Sequence, residues 1–440
     1  MRRLYYHASL ITGDVDHMYI PCGYLLIEGS RVLDVGSCPD TQLPDADVRC
    51  NLAGQILMPG MISSHCHFYG QFARGMSLSR PIHNWQQHLS RMWWRMDKAL
   101  DERQIYYSAL MGLAEGLKAG TTTYFDHQSS PNCIEGSLDT IERAMVAAGG
   151  RGCLAYEVTD RDGAGCAKRG IAENVRYIRK CREGGRFRGI FGLHASYSLS
   201  EETLAECSEA GGSLLAGFHI HMAESEADVS DCYRRFDMHV AERLEQAGIL
   251  GEKTITAHNV HLQPRQFEIL RRCGVTAAHN VQSNTSTAVG ICPVAPLMEA
   301  GVHVALGGDG YTYDLFTELG FAGIQQHIGQ KSCSAFPDRL SLEMAFTNNQ
   351  RLAHSVFGYE VGVLRPGAAA DFLILDYDPP TPLHEGNVLS HMTGGFSGCV
   401  HTVVVDGETV VKNHCCTRID EKEVFAACRH ESQRLWDSLK

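Results

Sequence analysis

The residues best suited to chemistry are two histidine pairs with a one-residue gap, His65-Cys66-His67 and His219-Ile220-His221, together with the carboxylates Glu224 and Asp309. On an extended strand, positions i and i+2 face the same way, so each pair can present two imidazoles to one point. Three imidazoles and one carboxylate suit Zn²⁺ or another borderline divalent ion and leave a position for water. A single His-x-His is weak evidence, and the weight lies in the combination. His65, His67, His221 and Asp309 all fall where an apolar run ends, and Gly307-Gly308 leaves space before Asp309. Strand periodicity does not choose between His219 and His221, whereas Glu224, three residues on, points to His221. His83, His88 and His303 read instead as polar residues satisfied in a loop, a helix and a strand.

Groups so distant in sequence meet only if a fold gathers strand ends. Eight apolar or β-branched runs alternate with helical stretches, and each stops at polar residues. The runs are 56–64 before His65, 121–125 before Asp126-His127, 153–156 before Glu157 and 190–193 before His194. They continue with 218–220 around His219 and His221, 254–257 before His258, 275–278 before His279-Asn280, and 302–306 before Gly307-Gly308-Asp309. Eight βα units are what a (β/α)₈ barrel requires, and that fold places its active site at the C-terminal strand ends. Segments 102–118 and 341–357 have helix-period apolar positions for the outer ring. Hairpin signals flank Gly29-Ser30 near one terminus and Asp406-Gly407 near the other. The expected fold is therefore α/β: a TIM barrel over 58–361, a discontinuous small β-sandwich domain from 1–57 and 362–418, and a C-terminal helix in 419–440.

Lys and Arg number 39 against 51 Asp and Glu, a net charge of −12, without basic clusters. Such a chain is repelled by polyanions, which argues against nucleic acid or an anionic membrane as partner. No apolar run approaches the roughly 20 residues that span a bilayer, and the N-terminus lacks the apolar segment and cleavage site of a signal peptide. The seventeen cysteines are odd in number, scattered and free of Cys-x-x-Cys pairs, so they read as buried thiols of a cytoplasmic protein.

The stretch Met58-Pro59-Gly60-Met61-Ile62-Ser63-Ser64-His65-Cys66-His67 with Arg74-Gly75 resembles a signature of the amidohydrolase superfamily, in its chlorohydrolase and purine/pyrimidine deaminase branch. So do His221 with Glu224, Ala257-His258, His279-Asn280 with Ser283-Asn284, Leu306 to Gly310, and Gly362 to Gly367 with Ala370-Asp371. Six separated motifs in order cover essentially the whole chain. Within the branch, Trp93-Trp94-Arg95, Tyr106-Tyr107-Ser108 and Pro380-Thr381-Pro382-Leu383 are similar to the SsnA-type aminohydrolases, which are associated with purine-catabolic settings. Gly308 departs from the Thr common before the last-strand Asp.

The resemblance implies one divalent metal per chain, Zn²⁺ or else Fe²⁺, on His65, His67, His221 and Asp309. No Lys ends the fourth strand to become a carbamate bridge between two ions. It further implies that Asp309 and His258 orient and deprotonate a water, and that Glu224 shuttles a proton to a ring nitrogen. The reaction would be loss of ammonia from a purine-like or related small heterocycle. The alternatives are displacement of halide or alkylamine from a triazine-like ring, and a metal-bearing scaffold without activity. Gln71, Arg74 and His194 are the candidate substrate contacts, Phe68, Tyr69 and Trp85 could stack on a flat ring, and Trp93-Trp94 reads as helix packing. A homodimer is the assembly the resemblance suggests.

Overall fold

The structure is a computed structural model describing all residues except 39–41, 79 and 182–184. Eight strands form its central barrel: β1 (Met61–Cys66), β2 (Thr121–Gln128), β3 (Arg151–Tyr156), β4 (Phe191–Ala195), β5 (Phe218–Met222), β6 (Ile255–His258), β7 (Thr276–His279) and β8 (His303–Leu306). All neighbours pair in parallel. The ring closes through two parallel bridges, Val158 with Leu193 and Cys66 with Asp309. At the second closure the Gly308 and Asp309 amides both donate to the His65 carbonyl, at 3.1 and 3.0 Å. Gly307 fits there because a Cβ would meet Asn280 Oδ1 at 2.5 Å and the His65 amide nitrogen at 3.0 Å. A side chain on Gly308 would strike the Thr312 carbonyl, which accounts for its departure from Thr.

One correction concerns the first run. Residues 56–64 are not a single strand. Ile56–Pro59 pairs antiparallel with Phe372–Leu375 and parallel with Arg2–Ile11, and only after Gly60 does the chain enter the barrel as β1. A boundary at 57/58 therefore falls inside a strand of the terminal sheet. That sheet runs Cys415–Cys416, Glu408–Lys412, Val400–Val405, Phe372–Leu375, Ile56–Pro59, Arg2–Ile11, Tyr19–Glu28, Arg31–Ser37, with Val48–Asn51 also beside Arg2–Ile11. It has its own apolar cluster, including Tyr5, Leu10, Leu25, Ile27, Leu57, Phe372 and Val404.

Helices surround the barrel. Glu102–Lys118 begins in a reciprocal capping box between Asp101 and Gln104, which satisfies two otherwise orphaned backbone donors. The closing helix Glu421–Ser438 is capped by Asp420 and tied to it by Lys118–Glu421 and Arg103–Glu431 ion pairs. All seventeen cysteines are free. Among the described residues no helix is long and apolar enough to cross a membrane.

Candidate active site

At the C-terminal strand ends the four ligand candidates converge. His67 Nε2 lies 3.1 Å from Asp309 Oδ1 and 3.2 Å from His221 Nε2, and His65 Nε2 lies 3.5 Å from Asp309 Oδ1. Ligands held 2.0–2.1 Å from a tetrahedral ion sit roughly 3.3 Å apart, so these separations fit a metal. The other nitrogen of each ring is engaged. His67 Nδ1 donates to the His127 carbonyl at 2.5 Å and His221 Nδ1 to the His194 carbonyl at 2.9 Å, while His65 Nδ1 meets His219 Nε2 at 2.8 Å. These bonds aim all three Nε2 atoms inward. His65 Nε2 is buried without a hydrogen-bond partner, an open valence that a metal would fill. His219 thus stands behind His65 and His221 faces the centre.

The electrostatics agree. Burial pushes the His65 pKa down to about 3 and His221 well below its usual range, so both are neutral and able to ligate. Burial also opposes charge on His67 and Asp309, but contacts prevail: beside Asp309 His67 rises to about 9, and beside His65 and His67 Asp309 falls well below the usual carboxylate range. A carboxylate anion in a buried ring of imidazoles is a place built for positive charge.

His258 and Glu224 flank this quartet. The carboxamide oxygen of Asn284 accepts from His258 Nδ1 at 2.8 Å, and His258 Nε2 points toward Asp309 Oδ2 at 4.0 Å. Glu224 Oε1 accepts from the Trp85 indole N–H at 2.8 Å, and burial raises the Glu224 pKa toward a proton-donating carboxyl. His258 and Asp309 have φ of 76° and 54°, in the left-handed region that only a determining surround maintains in non-glycine residues. Sharp turns there present both side chains to one point.

A cavity opens onto these groups. His194 lines it, with Nδ1 bonded to Ser198 Oγ at 2.6 Å and Nε2 3.8 Å from Glu157. Two expected substrate contacts are elsewhere. Arg74 is half exposed and bidentate to Glu115 at 2.6 and 2.7 Å, and Gln71 is buried in bonds to the His67 carbonyl and Tyr313 hydroxyl; neither lines the cavity. Gln71 lies in the 3₁₀ helix that follows β1, Phe68–Ala73, and Arg74 is the extended residue that ends it, which turns both away from the mouth. Two other readings are corrected in the opposite sense. Trp93-Trp94 and His88 do line the cavity, with Trp93 Nε1 donating to His88 Nε2 at 2.7 Å.

Sequence reasoning passed over Glu157 and Arg161. Glu157 ends β3 on the cavity wall beside His127 and His194, at 3.6 and 3.8 Å, and burial pushes its pKa up to about 7. Arg161 joins the wall, paired with Asp97 at 2.6 Å. Glu157 could have been found, since it follows the apolar run 153–156 as His194 and His258 follow theirs.

Residues 56–410 match the amidohydrolase family. The chain belongs to that family. It is a hydrolytic enzyme that acts on C–N bonds. It is 32% identical over 434 residues to a 5-methylthioadenosine/S-adenosylhomocysteine deaminase of Desulfitobacterium hafniense, covering 96% of this chain and 95% of that one. It is 29% identical over 439 residues to a 5'-deoxyadenosine deaminase of Methanosarcina acetivorans, covering 98% and 97%. A zinc-bound adenosine deaminase from Xanthomonas campestris superposes with a TM-score of 0.89 at 20% identity, covering 98% of both chains. A zinc complex of an atrazine chlorohydrolase from Arthrobacter aurescens reaches 0.83 at 21%, covering 98% and 100%.

Proposed function

We propose that this enzyme removes the exocyclic amine of an adenosine-like purine or related N-heterocycle and releases ammonia. The observation that carries it is the pairing of Glu224 with His258 across the quartet His65, His67, His221 and Asp309, which provides for both proton transfers of a deamination. The quartet would hold one divalent ion per chain, Zn²⁺ or else Fe²⁺. Zinc brings the pKa of a water it binds down to about 7. Asp309 accepts a proton from the attacking water, and His258, held by Asn284, orients its oxygen against the ring carbon that bears the amine. Glu224 donates a proton to the adjacent ring nitrogen, which breaks aromaticity. The tetrahedral carbon then expels its amine, which takes up the proton held by Asp309 and leaves as ammonia, while the hydroxyl on that carbon becomes the carbonyl and returns its proton to Glu224. His194, on the cavity wall, would contact the substrate. Relatives named as adenosine-type deaminases support the substrate class.

The test is release from metal-loaded protein offered adenosine, 5'-deoxyadenosine, guanine, a pterin and a chlorotriazine. Ammonia from an adenosine-like compound is expected, and chloride release alone would favour halide displacement. Glu224→Gln should retain its metal and lose at least ~10²-fold in rate; loss of metal instead would make Glu224 a ligand.

The assembly we propose is a homodimer meeting on the helix Leu315–Gln330. Phe321, Ile324 and Ile328 are exposed on it at i, i+3 and i+7, with Ile291 alongside, and its one carboxylate, Glu318, is buried. An uncharged face is where two copies of a chain with net charge −12 meet without repulsion. Ile324→Asp should convert a sedimenting dimer to monomer; a wild-type monomer would refute the pairing.

A further inference from the structure

Trp85 opens the four-residue helix Trp85–His88, whose N-terminus Asn84 caps by accepting from the Gln87 amide at 2.9 Å. Its ring is buried, edge-on to Tyr197 with centroids 5.9 Å apart. The rest of the segment is seated on the mouth as well. The Trp93 ring lies where a Cβ on Gly310, next to Asp309, would meet it at 3.0 Å, and Arg161 stands 5.1 Å over the Trp94 ring. Trp85 touches the chemistry itself, since its N–H donates to Glu224 Oε1 at 2.8 Å. Among the described residues no hydrogen bond reaches Glu224 Oε2, and Glu224 lines the cavity.

We propose that Trp85 is a positioning residue: its indole N–H pins Oε1 of Glu224 and leaves Oε2 as the oxygen that carries the proton to substrate. The role rests on Glu224 being the proton shuttle. It differs from that of a ring stacked on substrate, which would act through binding. A carboxylate free to rotate spends less time aimed at the ring nitrogen, so the loss falls on turnover.

The experiment is a double-mutant cycle on the metal-loaded enzyme, assayed for ammonia release from the best substrate of the panel above. Trp85→Phe keeps an aromatic ring and removes the donor. It should lower kcat roughly 10- to 100-fold with KM and metal content unchanged, and Trp85→His, which restores a ring N–H, should recover part of the loss. In a Glu224→Gln background Trp85→Phe should add nothing. An unchanged kcat, an effect confined to KM, or an equal added loss in the Glu224→Gln background would overturn the role of Trp85. Full activity of Glu224→Gln alone would overturn the shuttle assignment itself, an outcome visible without any Trp85 variant.

Discussion

Buried charge occurs at both ends of the barrel and is treated in opposite ways. At the floor, Arg151, at the start of β3 and fully buried, pairs with Asp371 and Asp406 of the terminal sheet and donates from Nε to the Tyr359 hydroxyl at 3.2 Å. Arg186 also pairs with Asp406 at 3.1 Å, and the Asp406 amide donates to Asp371 Oδ1 at 2.7 Å. Every charge there meets an opposite charge, and the cluster fastens barrel to sheet. At the mouth, His65 Nε2, both ring nitrogens of His127 and His279, and both side-chain polar atoms of Asn280 are buried without a hydrogen-bond partner. Ala223, His258, Asn259 and Asp309 hold left-handed φ values there. Unmet valences and strain cost stability, so a fold retains them where something else is to bind. The floor stabilises; the mouth is held ready.

That contrast can be broken most sharply at the quartet. His65→Ala, His221→Ala or Asp309→Asn should each remove most of the bound metal and the activity with it, while the fold survives; elemental analysis alongside circular dichroism reads both. Undiminished metal would mean that the mouth's open valences are not ligands. His258→Asn should keep the metal and lower kcat/KM by on the order of 10² to 10³, the scale of one lost contact to developing charge. At the floor the sign reverses. Arg151→Ala leaves Asp371 buried without its cation and should cost about 3–5 kcal/mol in urea unfolding, with metal content per folded chain unchanged. The smallest effect belongs to Arg74→Ala. Its surface pair with Glu115 is worth roughly 1 kcal/mol or less, and KM should not move; a raised KM would return Arg74 to the substrate.

What the sequence made legible was whatever depends on strand ends. The run-and-stop pattern located all eight barrel strands, and the residues after those runs include His65, His67, His221, His258 and Asp309. The terminal hairpins were equally readable, because Asp406-Gly407 and Gly29-Ser30 punctuate alternating strands. Position off the strands was not. Arg74 and Gln71 lie a few residues beyond His67, and nothing in their spacing revealed that a 3₁₀ turn directs them toward Glu115 and Tyr313. His88, Trp93 and Trp94 reach the cavity because their segment folds over the mouth, a tertiary placement that helical periodicity does not encode. The break at Gly60 was hidden for a different reason: two strands of different sheets there follow one another without a turn.

Metal count bears most directly on the claim that the mouth is prepared for a single ion and a water. Anomalous scattering from crystals of the zinc-loaded protein should show one peak within bonding range of His65, His67, His221 and Asp309, with His258 Nε2 outside the Zn–N range of about 2.2 Å. Two peaks, or His258 bonded to any ion, would contradict both the single-metal site and the role given to His258.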